Sequence, residues 1–268
     1  MRLTEKAVRS FRTRVWGHYR EHGRKLPWRA TTDPYRIFVS EVMLQQTQVS
    51  RVREKYDSFI RKFPSFRALG SAPLSDVLRA WQGLGYNRRA LNLHRASQVI
   101  ELEHGGELPC ATLEQLPGIG PYTAAAIRAF AFNMPVVFIE TNIRTVYIHH
   151  FFGSKDKIPD DELLPLVGQT LDRSDPRGWY NALMDYGVWL KQQHGNLSRQ
   201  SSHYNKQSRF SGSDRQLRGA IVRQLLGKTM SGRSLSERLG NDPRIARIID
   251  DLIAEGFIRR TGRKLTVK

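Results

Sequence analysis

Residues 111–132 read ATLEQLPGIGPYTAAAIRAFAF, and this run predicts a helix, a tight glycine turn and a second helix. Leu116-Pro117-Gly118-Ile119-Gly120 sets two glycines one residue apart. Such a turn lets the backbone approach another molecule closely. Thr123 and three alanines open the second helix with small, tightly packing side chains. The unpaired N–H groups at a helix start point outward and suit a phosphate. A bare Gly-x-Gly is an ordinary turn between packed helices. Leu-Pro before it and Tyr-Thr-Ala after it favour a grip on a nucleic-acid backbone that does not read sequence.

Outward from this hairpin the pattern stays helical. Val8, Phe11, Val15, Trp16 and Tyr19 fall at helical spacing and predict a helix over 5–22. A loop follows, punctuated by Gly23, Pro27 and Pro34. Helical patterning resumes over 37–63, with a break near Ser50, and over 65–104, with breaks at GSAPLSD and QGLGYN. Residues 134–152 begin apolar and continue as a helix, and 160–190 hold two helices around DRSDPRGW. The polar stretch 191–213 reads as a basic linker or loop. Residues 214–268 form a small unit with three helical runs, one over 243–255. It ends in a two-stranded ribbon turning at Thr261 and Gly262, a winged-helix pattern. The fold class is all-α with this winged-helix-like block at the C-terminus.

Charge limits the function. The 268 residues carry 43 Lys and Arg against 25 Asp and Glu, a formal +18. From Arg209 onward there are 14 basic residues against 6 acidic ones, a net +8. Such a field favours polyanions, with nucleic acid ahead of an acidic membrane surface. Cys110 is the only cysteine, so neither an internal disulfide nor a four-cysteine metal or iron–sulfur site can be built. The basic N-terminus lacks the apolar core of a secretory signal, and no run approaches ~20 apolar residues. These features predict a soluble cytoplasmic protein, nucleoid-associated in a prokaryote, with no membrane partner. His149 and His150 are adjacent, point differently on a helix and read as structural.

Two carboxylates carry candidate chemistry. Glu140, in Phe138-Ile139-Glu140-Thr141-Asn142, sits where it caps a helix or faces a sugar gaining positive charge. The spacing leaves both open. Glu41 lies beside Val42, Met43 and Leu44. In apolar surroundings its pKa rises and suits a general acid; on an outer face it is merely solvated. Gln45 and Gln46 are long amides that either fill the space of an extruded base or end a helix.

LPWRATTDPYRIFVSEVMLQQTQV, WQGLGYNRRALNLHRAS, LPGIGPYTAAAI and ETNIRTV follow in one order. Over roughly residues 5–190 the chain resembles the adenine DNA glycosylases of the helix-hairpin-helix, endonuclease III-like superfamily. The resemblance implies a glycosylase domain over 1–190, with a cleft between subdomains 28–133 and 5–22 plus 134–190. It implies that Glu41 is the general acid, that Glu140 stands at the catalytic aspartate and that Asn142 assists it. Gln45 and Gln46 match the intercalating wedge, and Tyr86 matches the probe of the opposite base. Tyr122 stands where bifunctional relatives carry a Schiff-base lysine, which implies hydrolysis without strand cleavage. Arg89, Gly118, Gly120 and Thr123 join the DNA-binding set, with Lys191, Arg259 and Arg260 from the basic linker and wing. The carbonyls of Glu114, Leu116 and Ile119 match a monovalent-cation site, and no other cofactor is implied. The expected partner is double-stranded DNA, bound by a monomer, with downstream repair proteins.

Three departures bear on this. Glu140 is one methylene longer than aspartate, and misplacement near ~1 Å can cost about 100-fold. Met184-Asp185-Tyr186-Gly187 matches the approach to the family's iron–sulfur loop, but Lys191 stands at the first cluster cysteine. The usual C-terminal 8-oxoguanine-recognition domain is replaced by 214–268, which binds DNA or docks a protein. Three readings stay open: excision of mispaired adenine, excision of thymine or uracil opposite guanine or of a modified base, and DNA binding with weak catalysis.

Overall fold

The computed structural model describes residues 1–153, 155–204, 206 and 209–268. Of the 191–213 stretch, Asn205, Gln207 and Ser208 lie outside the described residues. Its contacts gather into two units, residues 1–41 with 119–206 and residues 42–118 with 207–268.

The first unit is helical. α1 (Glu5–His22) starts where the Thr4 side chain accepts from the Ala7 N–H and ends at Gly23. α2 (Pro34–Leu44) opens on Asp33, whose carboxylate accepts from the Tyr35 N–H at 2.9 Å, and continues into the second unit. α7 (Pro121–Phe132), α8 (Thr141–Phe151), α9 (Asp160–Thr170) and α10 (Pro176–His194) complete it. Phe11 of α1 anchors an aromatic cluster, with ring centroids 5.4 Å from Tyr147 and 6.0 Å from Trp179. α8 and α10 pack closely because Gly187 has no side chain. A Cβ there would lie 2.3 Å from the Asn142 carbonyl oxygen. The apolar segment before α8 is held by Tyr180, whose hydroxyl donates to the Val136 carbonyl at 2.7 Å. Its ring centroid lies 4.0 Å from that of Phe138.

The second unit carries α3 (Val49–Lys62), α4 (Phe66–Gly70), α5 (Leu74–Trp81) and α6 (Arg88–His104). Val52, Phe59, Trp81, Leu93 and Ile100 fill its core. The hairpin's first arm, expected as a helix, is a 3-10 turn over Cys110–Gln115, kinked at Thr112. The C-terminal block belongs to this unit: α11 (Asp214–Gly227), α12 (Gly232–Arg238) and α13 (Ile245–Glu255). They pack with a three-stranded antiparallel sheet, so the chain is mostly rather than wholly helical. Its strands are β1 (Met230–Ser231), β2 (Ile258–Thr261) and β3 (Lys264–Val267), in order β1-β3-β2. The β2–β3 ribbon turns as its sequence predicts, with Gly262 at φ +57. β1 was not predicted, because two residues carry no readable alternation. Among the described residues no helix is long and apolar enough to cross a membrane.

Candidate active site

The first unit brings both carboxylates together. Glu140 has extended backbone, φ −127 and ψ 178, and caps α8. Its Oε1 accepts from the main-chain N–H of Asn142 at 2.7 Å and of Ile143 at 2.8 Å. Its Oε2 accepts from Asn142 Nδ2 at 3.2 Å. Glu140 therefore caps α8, and its charge acts on Glu41. Burial raises the Glu140 pKa, while these N–H groups and the charges of Lys191 and Arg144 pull it back. Burial, reinforced by the Glu140 charge, pushes Glu41 up to about 8, against a smaller opposing effect from Arg29. One carboxyl thus keeps its proton near neutrality while the other sits among donors that stabilise its anion.

Asn142 and Lys191 extend this cluster. Lys191 Nζ donates to Asn142 Oδ1 at 3.4 Å. The sequence reads Lys191 as the first residue of a basic linker or loop and counts it among the DNA contacts. Instead α10 runs on to His194, and Lys191 is a helical residue turned towards Asn142. Tyr122, at the start of α7, exposes 40% of its surface yet feels both carboxylates. Desolvation, then the charges of Glu140 and Glu41, raise its phenol well above the usual range, so it stays neutral. Its ring meets Phe138 edge-on at 5.8 Å.

Sequence reasoning missed the buried partner of Arg29, the arginine whose charge lowers the Glu41 pKa. Asp185 is buried in α10 and accepts from Arg29 Nη1 at 2.8 Å, Arg29 Nη2 at 2.9 Å and the Arg24 main-chain N–H at 2.7 Å. Burial pushes its carboxyl up, but hydrogen bonds and charge from Arg29, with help from Arg24, hold it below the usual carboxylate range. A lone carboxylate in an apolar helix was the available signal, since a buried charge requires a partner. His149 stacks on His194 at 4.7 Å, and His150 Nε2 is 3.0 Å from the Tyr186 hydroxyl. Among the described residues no group of three or more metal-ligating side chains is assembled. A groove of about 650 Å³ lined by Arg2, Arg9, Trp16 and Arg20 shares no residue with the carboxylate cluster.

The second unit holds most of the residues expected to meet DNA, while Gly120, Thr123 and Lys191 lie in the first. Gln46 and Tyr86 both have left-handed backbone, φ 53 and φ 48, a conformation that costs energy in a non-glycine residue. Arg89 corrects an expectation. It is only 9% exposed, and its guanidinium donates to the carbonyls of Val42, Met43, Leu84 and Gly85 and to the Thr47 hydroxyl. With these donors engaged by protein acceptors, Arg89 ties the Gln45–Gln46 loop to the 82–87 loop. Gly118 is required twice over: its φ is +79, and a Cβ would meet Asn92 Nδ2 at 2.7 Å. At Gly120 a Cβ meets nothing within 4 Å, so the space there is open to a ligand. Thr123 is 5% exposed, so its side chain packs inward and only its main chain remains for a phosphate. Glu114 lies in the 3-10 turn, with Leu116 and Ile119 following it. Arg259 and Arg260 are exposed on β2, where Arg260 pairs with Asp250 at 3.0 Å.

Comparison with known proteins agrees with this geometry. Residues 39–165 match the HhH-GPD superfamily of base excision DNA repair proteins. An adenine DNA glycosylase of Mycolicibacterium smegmatis is 32% identical over 265 residues, 90% of each chain. The chain belongs to this superfamily of base excision repair glycosylases. An adenine DNA glycosylase of Buchnera aphidicola is 39% identical over 179 residues, covering 64% of this chain and 50% of that protein. The chain thus spans half the length of that relative. Among solved structures, a thermostable thymine-DNA glycosylase aligns over 74% of this chain and 97% of its own, with TM-score 0.64 and 27% identity. A non-covalent endonuclease III–DNA complex aligns with TM-score 0.59 at 17% identity, a likeness of fold.

Proposed function

We propose that this chain is a monofunctional DNA glycosylase that flips mispaired adenine out of the duplex and hydrolyses its bond to the sugar. The observation that carries the reading is the pairing of Glu41, held protonated to about 8, with Glu140 on the N-terminus of α8. Glu41 donates its proton to the departing base as the N-glycosidic bond breaks and the bonding electrons leave with the base. Glu140 stabilises the positive sugar that remains. Water then adds to the anomeric carbon, and its proton returns to the carboxylate left on Glu41. Asn142 orients Glu140, and Tyr122, which offers no amine, supports hydrolysis without lyase chemistry.

In the same reading Gln45 and Gln46 fill the gap left by the flipped base, and Tyr86 meets the base opposite. The Gly118–Gly120 turn grips a phosphate, with a monovalent cation on the carbonyls of Glu114, Leu116 and Ile119. The block 214–268 acts as a winged helix whose Arg259 and Arg260 add phosphate contacts. The adenine choice is favoured by the 32–39% identity to adenine glycosylases. A second reading, thymine or uracil opposite guanine, is favoured by the likeness to the thymine-DNA glycosylase structure.

Base release from labelled duplexes, followed by alkali, tests the proposal. Adenine opposite 8-oxoguanine, guanine or cytosine is compared with thymine and uracil opposite guanine. Alkali-dependent adenine release is expected. Release of thymine or uracil alone establishes the second reading, and strand cleavage without alkali refutes the monofunctional assignment.

A further inference from the structure

The C-terminal block reaches a residue that the proposed function places at the opposite base. Glu255 of α13 pairs with Arg88 of α6 and Arg218 of α11, each at 2.5 Å. Arg95 Nη2 donates to the Glu255 carbonyl at 2.7 Å, and Arg79 Nη2 to the Leu226 carbonyl at 3.0 Å. These contacts set α11 beside the 82–87 loop. There Arg215 Nη1 donates to the Tyr86 hydroxyl, and its guanidinium carbon lies 5.3 Å from the ring centroid. Arg89 approaches the same ring at 5.6 Å. Two guanidiniums and a left-handed backbone therefore fix where this ring points.

Resting on the glycosylase reading above, we infer that Arg215 is a specificity-determining residue through which the C-terminal block selects the base opposite the excised one. It holds Tyr86 as a hydrogen-bond donor, so the site takes a base presenting a keto oxygen, guanine or an oxidised guanine. Bases presenting an amino group there, cytosine or adenine, are rejected. The chemistry follows from the direction of one hydrogen bond. The phenol oxygen accepts from a cation, which engages a lone pair and draws electron density from the oxygen. The O–H becomes a stronger donor and the oxygen a poorer acceptor. An amino group would set donor against donor beside a positive charge and leave a desolvated polar group unpaired. Guanidinium stacking on the ring keeps the phenol from turning away to relieve the conflict.

The test measures affinity of the full chain for duplexes carrying a tetrahydrofuran abasic site opposite guanine or opposite 2,6-diaminopurine. These purines carry a keto oxygen and an amino group, respectively, at position 6. The wild type is expected to favour guanine by about fivefold to tenfold, the worth of one hydrogen bond. Arg215→Met and Tyr86→Phe are each expected to bring the ratio near one. Arg215→Lys, a cation without the planar fork, is expected to retain part of it. Absence of preference in the wild type, or an unchanged ratio in folded Arg215→Met, overturns the inference. If Arg215→Met fails to fold, Tyr86→Phe keeps the ring and the arginine and decides the matter alone. Base release is followed in parallel. If no duplex releases a base, the glycosylase reading falls, while the abasic-site ratio still reports on Arg215.

Discussion

Replacing Glu41 by glutamine should make the protein more stable in alkali and nearly inactive, and the two effects share one cause. Burial and the neighbouring Glu140 raise the Glu41 carboxyl from its ordinary 4.5 to about 8. Between those values the folded protein holds a proton that the unfolded chain has released. Stability from this group is therefore complete below pH ~4.5 and declines as pH rises towards 8. The interval is three and a half pH units at about 1.36 kcal/mol each, an upper bound of about 5 kcal/mol for the loss. Part of it belongs to the pair, since Glu140 titrates against the same charge. Glutamine cannot ionise, so Glu41→Gln should match the wild type near pH 5 and exceed it at pH 9. At about 2 °C per kcal/mol for a chain of this size, the thermal midpoints should separate by up to ~10 °C at pH 9. The assay is thermal unfolding of both proteins from pH 5 to 9, with single-turnover base release beside it. Release should fall by about 10²- to 10⁴-fold once the proton donor is gone. Parallel stability curves across that range would refute the assignment of Glu41 as the buried acid.

Three further substitutions probe the same region. Glu140→Asp keeps a capping carboxylate but withdraws it by about a bond length, so single-turnover release should drop about 100-fold with the thermal midpoint little changed; an equal or faster rate would show that the site is not fitted to glutamate. Gly187→Ala drives a methyl to 2.3 Å from the Asn142 carbonyl oxygen. Urea unfolding should report a loss of about 1–3 kcal/mol and kinetics at least a tenfold slower release, whereas unimpaired release would separate α8–α10 packing from Glu140 placement. Asp185→Ala leaves the Arg29 guanidinium buried without its counter-charge, and about 3–5 kcal/mol of stability should disappear in urea titration. A loss under 1 kcal/mol would mean that Arg29 finds another partner.

Much of the scaffold was legible because helical spacing reports burial directly. α1 runs over Glu5–His22, where the Val8 to Tyr19 pattern puts it, and the β2–β3 ribbon turns at its glycine. The carboxylates were legible as candidates because Glu41 sits among apolar neighbours and Glu140 before a helix. What stayed hidden was direction. The sequence does not say which way Arg89 points, and an arginine beside a loop expected to meet DNA reads as a DNA contact until its donors are found on main-chain carbonyls. Lys191 followed an apolar run and looked like the start of a loop, yet α10 carries it another turn into the site. The hydrogen bond between Arg215 and Tyr86 spans 129 residues of chain, a separation over which local patterning carries no information.

The Arg89 clamp has a dynamic consequence. The Gln45–Gln46 segment and the 82–87 loop hang from one guanidinium, which bonds Thr47 at 2.7 Å and the Leu84 and Gly85 carbonyls at 3.1 Å each. Opening either loop breaks a bond to the same guanidinium, and Thr47 Oγ1 also donates directly to the Leu84 carbonyl at 3.3 Å. Their amides should exchange with deuterium at one common rate, as a single cooperative unit. Under the proposed function, Gln45, Gln46 and Tyr86 would then meet DNA already ordered, with little conformational freedom left to lose on binding.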